Sequence, residues 1–191
     1  TEVSKTYTTK TEFDDLSVGG RNMCIGTNQG TKNWGWSMRT GTYTNEEVLE
    51  DGIRTCKMTR GDDSQSGWSF IHFDDISRDK WLPNTDYIIT VEVKSNVNTT
   101  FTLYGLAASD GTGNLSSKID VVNNNTKSGE WVTLQWLCKT RNQLPTQTNQ
   151  MLYMNNMNSE PGVYYQFRNL KIEKGNTATD WSPAPEDIEQ T

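Results

Sequence analysis

Residues 87–94 read YIITVEVK, and apolar and polar side chains alternate along this stretch. One face of a strand would carry Tyr87, Ile89, Val91 and Val93, because residues two apart on a β-strand point to the same side. The other face would carry a more polar set that includes Glu92. A period of two with one apolar face is typical of a half-buried strand. The stretch therefore predicts a sheet that covers a core on one side.

Similar segments recur along the chain between clusters of Gly, Asn, Asp and Ser, which favour turns. Helical periodicity is absent from nearly the whole sequence. We predict strands at residues 22–27, 53–60, 68–73, 87–94, 100–108, 118–122, 131–139, 150–155 and 163–173. About nine short strands indicate an all-β protein with two antiparallel sheets, a β-sandwich of the jelly-roll type.

Composition limits the classes of partner. The 191 residues carry a net charge of -6, so the basic face that binds a nucleic acid backbone is not expected. No apolar run approaches the roughly 20 residues of a membrane helix, and the start TEVSKTYTTKTEF lacks an apolar signal core. Seven tryptophans are too many for a disordered chain. We expect a folded domain with neither nucleic acid nor membrane as partner.

The three cysteines are Cys24, Cys56 and Cys138, each in an apolar or alternating stretch. Their odd number and the absence of CxxC spacing favour buried thiols in a protein assembled in a cytoplasm, although a disulfide between Cys24 and Cys56 stays open.

The length suggests one domain with short extensions. We expect a linker or short coil at residues 1–18, the jelly roll at residues 19–187, and the start of a downstream linker at residues 188–191. Pro183 and Pro185 mark the second boundary, because proline fixes an extended backbone. Trp181, just before them, is expected to seal the end of the domain.

Two strings are distinctive: GGRNMCIGT at residues 19–27 and FRNLKIEKGNTATDWSPAPED at residues 167–187. In both, the chain resembles tail and baseplate proteins of phages that infect Gram-positive cocci. In that family the strings open and close a jelly-roll module similar to carbohydrate-binding modules. TKTEFDDL resembles the linkers of long tail proteins, and KWLPNTDYIITVEVKSN and GEWVTLQWLC resemble strands of such modules.

The resemblance implies a virion component that helps a phage adhere to its host. The implied partners are a bacterial cell-surface polysaccharide and other tail or baseplate proteins, and the implied location is the phage tail, assembled in the host cytoplasm. The matching strings describe how the module closes, so they do not identify the sugar.

Catalytic candidates are few. His72 is the only histidine, and no GxSxG elbow is present. It shares strand parity with Trp68 and Phe70, which favours a sheet histidine or a sugar-contacting one over a general base. Adjacent carboxylates occur at residues 14–15, 46–47, 62–63 and 74–75, but neighbours on a strand point to opposite faces. We therefore expect no enzymatic activity.

Metal and cofactor signals are weak. The segment SDGTGNLSSKID places Asp110, Thr112 and Asn114 at calcium-loop spacing, but the twelfth position of the loop is Val121 and not a glutamate. An ordinary Asp-Gly turn is the better interpretation. No cofactor is expected, and a structural calcium ion, common in similar sandwich modules, stays as the alternative.

Tryptophan carries the binding prediction. Trp131 and Trp136 are an odd number of residues apart, so at least one should lie in the core. Trp34 and Trp36 instead fall in a Gly-rich polar stretch, where we expect exposed rings. An aromatic ring matches the C–H face of a pyranose, and polar side chains match its hydroxyls. The predicted groove consists of Trp34, Trp36, Trp68 and Tyr104, with Asp63 and Gln65 as hydrogen-bond partners.

Three functions follow in order of preference: a non-catalytic glycan-binding module, a structural spacer or assembly domain of the tail, and a cell-wall glycosidase. In the second, Trp34 and Trp36 would pack under a loop or bury a subunit contact instead of a sugar.

Overall fold

The computed structural model describes residues 20–38, 41–62, 69–74, 76, 81–108, 115–144, 150–155, 157–158 and 160–188. At residues 38, 104–108 and 150–151 it describes the backbone alone. The coil predicted at residues 1–18, the segment 189–191 and the Asp-Gly turn at residues 110–114 lie outside this part of the chain.

Ten strands and one helical turn account for the described secondary structure. The strands are β1 (Trp34–Met38), β2 (Tyr43–Glu50), β3 (Ile53–Arg60), β4 (Ser69–Phe73), β5 (Asp86–Ser95), β6 (Thr102–Ala108), β7 (Ser116–Asn123), β8 (Val132–Thr140), β9 (Gln150–Asn155) and β10 (Tyr164–Lys174). The turn of helix is α1 (Pro185–Ile188).

The strands form two antiparallel sheets. The smaller sheet has the order β1-β4-β9-β6, and the larger has the order β2-β3-β10-β5-β8-β7. Within each sheet, non-consecutive strands are neighbours, as expected when a chain passes back and forth between two layers. The predicted all-β sandwich is confirmed.

The strand predictions differ from the structure at its N-terminal end. Residues 22–27 form turns with a single bridge, between Cys24 and Ile76, and Gly26 there adopts a φ of 80°. The prediction of a strand at residues 22–27 is therefore wrong. The sequence interpretation also missed β1 and β2, because Gly35, Gly41 and polar side chains made residues 33–47 look like a loop.

The core fills the space between the sheets with the inward side chains of both. On β5 these are Tyr87, Ile89, Val91 and Val93, all fully buried, as the alternating pattern predicts. Trp136 on β8 is fully buried as well, which confirms that one of the two tryptophans near this strand lies in the core. These side chains belong to one continuous hydrophobic cluster between the sheets.

The N-terminal and C-terminal ends of the described chain meet. The Met23 amide donates to the Ile172 carbonyl at 2.8 Å, so residues 22–27 lie beside β10. The Asp187 carboxylate accepts the Gly26 amide at 2.9 and 3.0 Å, and Arg21 forms an ion pair with Glu186. The domain is thus closed where its two distinctive strings come together.

The cysteines are all buried and not joined by disulfides. Burial raises the pKa of the Cys56 and Cys138 thiols to about 12. Thiols held in this state are poor nucleophiles, since the thiolate is the reactive form. Among the described residues, no helix is long and apolar enough to cross a membrane.

Candidate functional site

Trp34 and Trp36 are core residues, with 7% and 3% of their surface exposed. The prediction that their rings face solvent is wrong. Both lie on β1, where they alternate with Gly35, and they pair with Phe73 and Ile71 on the inward side of the smaller sheet. Because β1 is a strand of the smaller sheet, both rings pack beneath that sheet. These two tryptophans therefore have no free face for a sugar.

The two rings join the sheets. Trp34 stacks on Phe167 of the larger sheet with ring centroids 4.7 Å apart, and it meets Phe73 edge-on at 5.1 Å. Trp36 approaches Tyr165 of the larger sheet at 5.9 Å, and its indole N–H donates to the Ser69 hydroxyl. Such contacts stabilise the sandwich and leave the binding surface to other residues.

The structure does not test the remaining residues of the predicted groove. Asp63, Gln65 and Trp68 lie outside the described residues, and only the backbone of Tyr104 is described, at a β-bulge between Leu103 and Gly105. Their part in binding stays a prediction.

The outward face of the smaller sheet carries a different set of aromatic side chains. Ile71 and Phe73 of β4 point inward and are fully buried, so Phe70 and His72 point outward. On β9, Leu152 and Met154 are likewise fully buried, which turns Tyr153 outward. Phe70, His72 and Tyr153 are each partly exposed.

Strand register places these side chains in a row across the sheet. Gly35 of β1 pairs with His72 of β4, His72 pairs with Tyr153 of β9, and Tyr153 pairs with Gly105 of β6. The row therefore has two ring-bearing residues in the middle and a glycine on each side. We call this surface, together with Phe70 and Asp74, the aromatic row.

The rings of the aromatic row contact one another. The Phe70 and Tyr153 centroids are 4.5 Å apart with their planes at 79°, an edge-to-face pair, and Phe70 and His72 are 5.9 Å apart. Edge-to-face pairs are worth about 0.5 to 1.5 kcal/mol beyond the area that they bury, so the contact favours one relative orientation of the two rings. The row is a preformed apolar surface.

Polar groups stand beside these rings. The His72 Nδ1 atom lies 3.0 Å from the Asp74 Oδ1 atom, and the two side chains are 16% and 48% exposed. Burial, and then the charge of Asp74, raises the pKa of the Tyr153 phenol. Tyr153 therefore stays protonated at neutral pH and can both donate and accept a hydrogen bond.

Apolar rings bordered by hydroxyl, imidazole and carboxylate groups can hold a sugar through its C–H face and its hydroxyls. No cluster of three or more potential metal ligands occurs among the described residues. The described side chains of this surface offer a phenol, an imidazole and a carboxylate as hydrogen-bonding groups beside the rings.

The carboxylate pairs offer little support for hydrolysis. Glu46 forms an ion pair with Lys57 at 3.2 Å, whereas Glu47 forms one with Arg54 at 3.2 Å. As neighbours on β2, Glu46 and Glu47 project to opposite faces, as expected from strand alternation. The other three pairs include residues outside the described structure.

The outward face of the larger sheet is less suited to a ligand. Trp131 lies there, but the Arg168 guanidinium sits 4.0 Å from the ring centroid and Glu50 accepts the indole N–H at 3.1 Å. Nearby, Lys171 and Glu173 form an ion pair that is only 1% and 0% exposed. This face thus uses its ring and charges for internal contacts.

Solved structures share the fold. The family 11 carbohydrate-binding module of cellulosomal cellulase Lic26A-Cel5E of Clostridium thermocellum has 15% identity, with 85% of this chain and 99% of that chain covered and a TM-score of 0.52. The C-terminal family 22 carbohydrate-binding module of Clostridium thermocellum Xyn10B has 12% identity, 87% and 98% coverage, and a TM-score of 0.53.

A phage protein is also similar. The enzymatically active domain of tailspike protein 4 of bacteriophage CBA120 has 15% identity and a TM-score of 0.50, with 80% of this chain but only 21% of that chain covered. At such identities the likeness establishes the fold, a jelly roll like that of carbohydrate-binding modules. No protein-family model and no curated protein sequence matches the chain.

Proposed function

We propose that this chain is a non-catalytic glycan-binding module whose binding surface is the aromatic row. The observation that carries the proposal is the outward Phe70–Tyr153 ring pair, bordered by His72 and Asp74 and by a glycine on each side. The chain also shares its fold with modules described as carbohydrate-binding, which supports the same function.

The energetics suit weak binding to a repeated sugar. Stacking a pyranose on one ring buries roughly 60 to 80 Å² of apolar surface, worth about 2 kcal/mol at about 25 cal/mol per Å². Two such contacts with a few hydrogen bonds give a dissociation constant in the millimolar to high-micromolar range. A site of this kind depends on several linked copies.

The biological setting that we propose is a phage tail. The distinctive strings at residues 19–27 and 167–187 resemble tail and baseplate proteins, and the fold also occurs in a tailspike domain. Several modules on one virion would raise avidity by roughly 10² to 10⁴ without a new contact. The proposed ligand is a bacterial cell-surface polysaccharide, and the proposed neighbours are other tail proteins.

The test displays the chain in many copies on beads and measures their retention on cell walls of Gram-positive cocci. Phe70→Ala and Tyr153→Ala should each abolish retention, because each removes a ring of the aromatic row. Tyr164→Ala is the matched control, since Tyr164 is a partly exposed outward tyrosine on the other sheet. Equal retention of Tyr153→Ala and Tyr164→Ala beads would contradict the proposal.

A structural spacer or assembly domain is the second candidate. The edge strand β7 exposes 57% of Val121 and 60% of Val122, an apolar surface that a neighbouring subunit could cover. Trp34 and Trp36 no longer distinguish the candidates, because both are buried within one chain. Light scattering does: a stable oligomer that dissociates on Val122→Lys, without retention on cell walls, would favour the spacer.

A cell-wall glycosidase is the third candidate. It requires release of reducing sugar from cell walls, and we expect no release by the purified chain.

A further inference from the structure

We infer that Gly35 is a positioning residue: together with Asp74 it fixes the His72 imidazole so that its Nε2 atom accepts a hydrogen bond from a glycan hydroxyl. The inference rests on the proposed function for its ligand, but its geometric part can be tested without a ligand.

The first observation concerns the space above Gly35. A Cβ atom on Gly35 would lie 2.5 Å from His72 Nε2 and 2.6 Å from His72 Cε1. Trp34 and Trp36 point inward, so this Cβ would point outward from the sheet. The Nε2–Cε1 edge of the imidazole therefore lies on the outward face, directly over the backbone of β1.

The backbone of Gly35 would accept a side chain without strain. Gly35 has no positive φ, unlike Gly26 or Gly41, and it lies in a regular antiparallel pair with His72. A glycine weakens a strand relative to other residues. The glycine is thus explained by the position of His72 and not by the conformation of β1.

The second observation fixes the tautomer of His72. Its Nδ1 atom lies 3.0 Å from Asp74 Oδ1, and a carboxylate only accepts hydrogen bonds. In the neutral ring the proton must therefore sit on Nδ1, which leaves Nε2 as an acceptor. Asp74 selects the tautomer, and Gly35 provides the space in which Nε2 lies.

These two restraints determine what His72 can recognise. An acceptor above β1, next to the Phe70 ring, suits a hydroxyl at the edge of a sugar stacked on the aromatic row. A Cβ at position 35 would push the imidazole outward by about 1 Å, because non-bonded carbon atoms settle about 3.5 to 4.0 Å apart. A shift of this size would break the hydrogen bond to Asp74.

The direct test is the imidazole ¹⁵N spectrum, which is unambiguous because the chain has a single histidine. With the imidazole neutral, the parent should show a protonated Nδ1 and an unprotonated Nε2. Gly35→Ala and Asp74→Ala should each move both shifts toward those of free imidazole. Gly20→Ala is the matched control, since Gly20 has no neighbour within 4 Å of its Cβ position and no positive φ.

The binding test uses soluble cell-wall polysaccharide from a Gram-positive coccus. Gly35→Ala should weaken binding about three- to tenfold, the value of one ordinary hydrogen bond. The double variant Gly35→Ala/His72→Ala should bind no more weakly than His72→Ala, because Gly35 acts only through His72. Additive losses would overturn the inference.

The positioning role of Gly35 and the proposed function can be refuted separately. An unprotonated Nδ1 in the parent, or ¹⁵N shifts that Gly35→Ala and Asp74→Ala leave unchanged, would refute the positioning role even if glycan is bound. A parent chain that shows the expected imidazole spectrum but binds no polysaccharide would refute the proposed function instead. If Gly35→Ala does not fold, the ¹⁵N spectrum of Asp74→Ala still tests whether the imidazole is restrained. This variant should fold, because Asp74 is half exposed.

Discussion

Replacing Trp34 by alanine tests whether this ring joins the two sheets. The substitution removes a side chain that is 7% exposed, stacks on Phe167 at 4.7 Å and meets Phe73 at 5.1 Å. Truncation of a buried tryptophan costs about 3 to 5 kcal/mol, from lost transfer free energy and the cavity left behind. Domains of this size have a free energy of unfolding of about 5 to 15 kcal/mol, so most of the stability could be lost.

The assay is guanidinium denaturation followed by far-UV circular dichroism, which does not depend on tryptophan number. Trp34→Ala should lower the free energy of unfolding by at least about 3 kcal/mol, and Trp34→Phe by less, because Phe keeps part of the stack. Tyr164→Ala, on the outward face, should cost under about 1 kcal/mol. A loss under about 1 kcal/mol for Trp34→Ala, with an unchanged denaturant slope, would refute the burial of this ring.

Two further predictions concern buried ionisable groups. Because burial raises the pKa of Cys56 and Cys138 from 9.0 to about 12, their stabilising contribution is complete below pH 9 and is lost between pH 9 and 12. In this range the free energy of unfolding should fall by about 1.4 kcal/mol per pH unit for each thiol. A Cys56→Ala/Cys138→Ala variant whose free energy of unfolding falls as steeply with pH as that of the parent would contradict this prediction. Glu173→Ala should cost about 3 to 5 kcal/mol in urea denaturation, because it leaves the buried Lys171 ammonium without its carboxylate. The exposed Lys174→Ala control should change stability by less than about 0.5 kcal/mol, and similar values for both variants would refute the prediction.

Much of the fold could be predicted from the sequence. The bounds predicted for residues 53–60 and 150–155 coincide with β3 and β9. The alternation of apolar and polar side chains in β5 predicted both that this stretch is a strand and which of its faces points inward. These signals are local and depend only on the two-residue period of a strand.

The failure at β1 shows where composition misleads. The stretch WGWSM has the same two-residue period as β5, with large side chains at positions 34 and 36 and small ones between. Glycine content favours a loop, but a Cβ atom on Gly35 would collide with the His72 imidazole, so this glycine makes room for a side chain within a sheet. Alternation in side-chain size, not only in polarity, was the signal that would have placed both tryptophans inside.

The site could be predicted only in part. Strand parity put Phe70 and His72 on one face, and the order of MLYMN would have turned Tyr153 away from Leu152 and Met154. What no local pattern gives is the pairing of β4 with β9, which are about 80 residues apart and bring His72 beside Tyr153. The aromatic row therefore becomes visible only once the strand order is known.

Glycan binding by the aromatic row is best tested with a map of backbone amide shifts during titration with soluble cell-wall polysaccharide from Gram-positive cocci. We expect the perturbed amides to cluster at residues 35, 70–74, 105 and 153, across the outward face of the smaller sheet. Perturbations centred on Trp131 and Arg168 of the opposite face, or no perturbation by any polysaccharide at millimolar sugar, would contradict it.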